Sequence, residues 1–157
     1  MLPTAQKIHT STARHAKIPL LVVSSQVDDC SAVRQILQNA SWQIDHAASL
    51  EEAGKYLQQK VASVILCERD LPDGNWKDLL ARTRELPLVP SVLVVSRHAD
   101  DDLWADVLSS GGYDVLPKPF DRREMVRVIG MAWRHCYSKN AMIPQPLGPV
   151  LAQAAAN

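Results

Sequence analysis

VASVILCERDLPDG, residues 61–74, decides the fold. Residues 61–67 are apolar save for Ser63, and the run is short. A short, continuous apolar run reads as a strand buried on both faces of a parallel sheet. Leu71-Pro-Asp-Gly74 is a turn signal directly after it. Between run and turn stands a carboxylate, Glu68, placed where such a strand meets solvent.

Working outward, the same kind of run recurs at residues 19–24 (PLLVVS), 90–96 (PSVLVVS) and 113–116 (YDVL), with a weaker strand expected at 42–47. Helical spacing fills the gaps. Val33, Ile36, Leu37 and Ala40 space a helix over 27–40. Ser49 and Glu52 form a capping box ahead of Ala53, Tyr56 and Leu57. Asn75 caps a helix carrying Trp76, Leu79 and Leu80. Asp100, Asp101 and Asp102 open the next helix, where its dipole favours acids, and Gly111-Gly112 ends it. Asp121 and Glu124 frame the last helix, whose buried stripe is Met125, Val128, Ile129, Ala132 and Trp133.

The pattern is (βα)5: an α/β, flavodoxin-like, doubly wound sheet of five parallel strands in the order 2-1-3-4-5. Residues 1–17 are polar and without period, and read as a flexible N-terminal tail. Residues 18–137 form the domain. Residues 138–157 hold three prolines and an alanine-rich end; they read as a C-terminal tail or linker, although Val150, Leu151 and the alanines suit a short docked helix.

Composition narrows the function. The 157 residues are 46% hydrophobic and 22% charged, an ordinary globular balance. Lys plus Arg and Asp plus Glu both number 17, so no electrostatic case exists for nucleic acid or an anionic membrane as a partner. Three widely spaced cysteines suit reduced thiols in a cytoplasm, and no secretory signal or membrane span is expected. No DNA-binding domain fits in the tails, so the chain reads as a stand-alone domain or as one piece of a system built from separate chains.

In a doubly wound sheet, function sits at the carboxyl ends of the strands. Here these ends are Ser24-Ser25, Glu68, Ser96-Arg97 and Lys118. A carboxylate, a hydroxyl and an ammonium would converge there and could hold a phosphoryl group or another anion. Strand-end acids and lysines are ordinarily just solvated. Lys118 is the sharper case, because Pro119 restricts its backbone and so the direction of its side chain. His98 reads as a solvated loop residue and Cys67 as a buried, inert thiol.

Three motifs in register carry a resemblance: ERDLPDG (68–74), VLVVS ending at Ser96, and GGYDVLPKPF (111–120). Residues 18–136 resemble the CheY-like receiver domain of two-component response regulators. The resemblance implies that Glu68 occupies the phosphoacceptor position, with Ser96 and Lys118 as the phosphoryl-sensing hydroxyl and lysine. It places Ser24 and Ser25 where the family carries an acidic pair for Mg²⁺, and Val115 where it carries a switch aromatic. Mg²⁺ prefers a tight oxygen shell with carboxylates, so these departures imply a weakened metal site. No cofactor is expected, and Mg²⁺ enters only if an unusual site holds it. Glu68, Asp28 and Asp29 are the weak candidate ligands, the two aspartates being expected on the first turn of the first helix.

Three functions compete. The first is an atypical or pseudo-receiver in a phosphorelay, not an enzyme. It would act by protein contact with a sensor kinase or output protein, or as a homodimer, through the 100–137 face, with Trp104, Trp133 and Tyr137 as anchors. The second is a working phospho-receiver. The third is an enzyme on the same sheet, disfavoured because no glycine-rich phosphate loop follows the first strand.

Overall fold

The computed structural model describes residues 17–38 and 41–141. Its sheet is parallel, built from β1 (Ile18–Val23), β2 (Trp42–Ala47), β3 (Val64–Glu68), β6 (Ser91–Ser96) and β7 (Asp114–Pro117), in the order β2-β1-β3-β6-β7. This is the expected 2-1-3-4-5 order. The extra numbers belong to a two-stranded ribbon, β4 (Asp70–Leu71) and β5 (Gly74–Asn75), which pairs antiparallel about the Pro72-Asp73 turn. The helices are α1 (Val27–Leu37), α2 (Leu50–Gln59), α3 (Trp76–Thr83), α4 (Asp101–Ser109) and α5 (Arg122–Ala141).

The central strands are apolar between their ends because each face of the sheet is covered. Leu21, Val23, Ile65, Cys67, Val92 and Val94 point to one layer, with Ala53, Trp76, Leu79 and Val107 from the helices on that side. Leu20, Val22, Val64, Leu66, Leu93 and Val95 point to the other, with Val33, Met125, Val128 and Ile129. The period of two along each strand thus divides one apolar run between two cores.

Several ends differ from the sequence reading. The third strand begins at Val64 rather than 61, and Val61 is half exposed. The approach is pinned instead by Ser63 N–H donating to Pro19 O at 2.9 Å. The first helix stops at Leu37, short of 40. Glu52 reaches Ala48 N–H rather than that of Ser49, while the Ser49 hydroxyl accepts Glu52 N–H as expected. Asn75 and Asp78 form a full capping box. The last helix continues through residues 138–141. The tail 1–16 and the suggested helix around Val150 and Leu151 lie outside the described residues. No helix among the described residues is long and apolar enough to cross a membrane.

Candidate functional site at the strand ends

Parallel registry brings the strand ends together. Glu68 pairs with Val95 and Ser96 with Pro117, and Lys118 N–H donates to Ser96 O at 3.0 Å. From there Lys118 turns its side chain inward, leaving it 6% exposed. Its Nζ lies 2.6 Å from Asp29 Oδ2 and 3.1 Å from Glu68 Oε1. Two carboxylates from distant parts of the chain therefore close on one buried ammonium.

Ser24 completes the cluster. Its hydroxyl lies 2.6 Å from Asp29 Oδ2 and 2.9 Å from Glu68 Oε2, and accepts Gln26 N–H at 3.0 Å. A hydroxyl carries one proton, so it donates to one carboxylate at a time. The shorter contact favours Asp29, leaving Lys118 as the main tether of Glu68. His46 Nε2 meets Ser24 O at 2.7 Å and fixes the backbone of this corner from β2.

The convergence expected at the sequence level is met in part. Glu68 and Lys118 meet. The hydroxyl that joins them is that of Ser24, not Ser96. The Ser96 hydroxyl accepts His98 N–H at 3.0 Å, which binds it to its own loop. Ser96 does share with Glu68 a cavity of about 160 Å³, also lined by Arg69, Arg97 and His98. Ser25 and Asp28 are exposed. Val115 is buried among the α4-side core residues.

Asp29 reads from the sequence as a helix-start acid and a weak candidate ligand, and its pairing with Lys118 is what the sequence reading missed. The signal was there: positions 29, 33 and 37 share one face of a helix, and Asp29, Val33 and Leu37 are buried together. Asp28, one position earlier, faces out. Cys67, just before Glu68, is no nucleophile; burial, and then the neighbouring Glu68 charge, push its thiol far above the usual range. All three cysteines are free and buried.

A flavodoxin-like sheet with a lysine and an acid facing each other across its carboxyl edge defines a receiver-type α/β domain. The chain matches the family model of the response regulator receiver domain over residues 20–130 and belongs to that family. It is 29% identical, over 139 residues, to the DNA-binding transcriptional regulator NtrC of Klebsiella pneumoniae, an alignment that covers 83% of this chain and 29% of that protein. The chain thus spans under a third of the length of the curated relatives it first matches. Among solved structures it is similar to the signal receiver domain of a LuxO repressor protein from Vibrio parahaemolyticus, with TM-score 0.75 and 17% identity over 82% of this chain and 99% of that one. It is likewise similar to the receiver domain of an HD domain-containing protein from Pseudomonas fluorescens, with TM-score 0.73 and 22% identity over 82% and 95%.

Proposed function

We propose that this receiver signals by protein contact rather than by accepting a phosphoryl group at position 68. The observation that carries the reading is the Lys118 ammonium, already held by both Glu68 and Asp29. In the family pattern, Mg²⁺ would gather carboxylates at this edge and neutralise the incoming phosphoryl group. Here the acids are Asp29 and Glu68, and a cation from the chain itself sits between them. Among the described residues no group of three or more His, Cys, Asp or Glu side chains assembles as a metal site. The residues present fit Mg²⁺ poorly. A phosphoryl group brings about −1.5 to −2 charge at neutral pH, and here it would arrive beside two carboxylates served by one ammonium. Phosphoryl transfer relies on positioning and charge neutralisation, and this site supplies little of the second.

The partner on this reading is a sensor kinase, an output protein or a second copy, engaged through α4, β7 and α5. Trp104 is half exposed and Tyr137 is 71% exposed, which suits anchoring side chains. Trp133 is mostly spent on the core layer beneath α5.

One observation favours the second reading, a phospho-accepting site. The cavity beside Glu68 is flanked by Arg69, Arg97 and Ser96, groups that attract and hold an anion. Titration with Mg²⁺ and beryllofluoride, followed by backbone NMR and by intact mass after acetyl phosphate, separates the two. The first reading expects a well-folded spectrum with no response at Glu68, Ser96 and Lys118, and no phosphate adduct. An adduct, or saturable shifts at those residues, would falsify it in favour of the second.

A further inference from the structure

Ser91 opens β6 at the amino-terminal edge of the sheet, the far end of that strand from Ser96. It is 4% exposed, and its hydroxyl is the one buried side-chain polar atom among the described residues without a hydrogen-bond partner. Buried hydroxyls are nearly always partnered, because an unmade bond leaves the cost of desolvation uncompensated. Leu93 and Val95, two and four positions on, pack into the α1–α5 layer. Side chains two apart share a face of a strand, so Ser91 is aimed at the α5 side as well.

A recess of about 210 Å³ lies on that side, walled by Ser91, Gly111, Gly112, Tyr113, His135 and Lys139. His135 and Lys139 stand one turn apart on α5 and so share one face of the helix. The Tyr113 ring packs against that of His135, with centroids 5.2 Å apart, and steadies the imidazole at the wall. Gly112 has no room for a side chain, since a Cβ would run into the Val107 side chain. The backbone donors of this loop are already spent: Gly112 N–H donates to Val107 O and Tyr113 N–H to Val92 O, each at 2.8 Å. The ion pairs among the described residues leave Lys139 out. The wall thus carries an ammonium, an imidazole and an unpartnered hydroxyl, with no carboxylate beside them.

We propose that this recess binds a small oxyanion: free phosphate, or the phosphate or carboxylate group of a small metabolite. The Ser91 hydroxyl donates to the anion, the solvent-facing Lys139 neutralises it, and His135 supplies a further hydrogen bond. Hydrogen bonds assisted by charge in this way are the strong ones. The recess, about 210 Å³, is smaller than pockets for drug-sized ligands, about 300–1,000 Å³. It therefore takes an anionic group and not a whole nucleotide. The site lies at the edge of the sheet opposite Lys118, and it stands whether or not position 68 accepts a phosphoryl group.

The test titrates the full-length, isotope-labelled chain with inorganic phosphate, and separately with acetate, in solution NMR. The pH and ionic strength are fixed, and chloride is the control. Saturable shifts are expected at Ser91, His135 and Lys139. A response to phosphate alone assigns a phosphoryl group, to acetate alone a carboxylate, and to both a site for either. Ser91→Ala and Lys139→Gln should each weaken binding about tenfold. Ser91→Ala should also leave the urea midpoint of the anion-free protein unchanged or higher, because it removes an unpaired buried hydroxyl. A lowered midpoint would show that hydroxyl bonded within the fold and overturns the proposal. So do shifts that match the chloride control or never saturate, and binding indifferent to both substitutions. A response confined to Ser96, Arg97 and Lys118 overturns it too, since the anion then sits at the opposite edge.

Discussion

Lys118 is held by opposite charges on two sides, and its removal leaves both of them stranded. Asp29 and Glu68 have side chains only 9% and 16% exposed. Removing one partner of a buried ion pair typically costs about 3–5 kcal/mol, because an uncompensated charge stays behind. Lys118→Met is therefore expected to destabilise the domain by an amount of that order in urea denaturation. Adding Asp29→Asn and Glu68→Gln to it should recover a large part of the loss, since the stranded charges are then gone. If Lys118→Met shifts the midpoint no more than a typical surface substitution, the cluster is not structural and the lysine is free for other partners. Much of this site could be read from the sequence. Glu68 and Lys118 announce themselves by following apolar strands, and the sheet's registry makes them meet. The role of Ser24 and the inward turn of Asp29 were harder to read. A serine next to another serine, and one acid of an adjacent pair, differ only in the direction each faces, and tertiary packing settles that.

The start of helix α2 shows how elements of this fold hold one another. Its first turn is capped by Ser49, whose hydroxyl accepts Glu52 N–H at 3.2 Å, and by Asp73 from the ribbon turn, which accepts Leu50 N–H at 2.8 Å and Glu51 N–H at 3.0 Å. The bond from Leu50, joined by that from Glu51, by Asp73's own N–H and by the Arg82 charge, outweighs desolvation and holds the Asp73 carboxyl below its usual range. A carboxylate with a depressed folded-state pKa stabilises fully above its unfolded pKa, about 3.9, and loses that contribution as pH falls through the folded value. Acid titration should therefore move the Leu50 and Glu51 amide signals together below the ordinary aspartate range, before the domain unfolds as a whole. Asp73→Asn should abolish that step. A step that persists in the variant would assign it to another carboxylate. The sequence marked Asp73 as a turn residue, which it is. It could not mark the helix it caps, because that contact joins positions more than twenty residues apart. Gly74 belongs to the same junction: a Cβ there would run into the Leu50 and Asp78 side chains, at φ +157°. Gly74→Ala should disturb both helix starts at once, at a cost typical of overpacking, about 1–3 kcal/mol, read as a lower urea midpoint. A neutral outcome would mean that the ribbon moves freely relative to α2 and α3.

At the scale of the molecule, the question is whether two cores on opposite faces of one sheet behave as one body. Ile65 and Leu66 are neighbours on β3, both fully buried or nearly so, yet they belong to different layers. The strand that carries both has parallel partners on each side. To expose Ile65 by opening one layer, the chain must also strain the backbone that seats Leu66 in the other. Truncating either large side chain to alanine leaves a cavity, with a typical cost of about 2–5 kcal/mol. Ile65→Ala and Leu66→Ala should therefore shift the same single transition. Two NMR probes report on the two layers: the Trp76 side chain on the α2–α3–α4 side and the Met125 methyl on the α1–α5 side. In each variant both probes should lose native signal at one urea concentration. If Ile65→Ala moved the Trp76 transition and left that of Met125 in place, the layers would unfold separately. A change sensed at the Lys118 edge could then reach one face of the sheet without the other. A shared transition means that the sheet ties the strand-end cluster to α4 on one side and α5 on the other, so a partner bound to either helix and a change at Lys118 draw on the same stability.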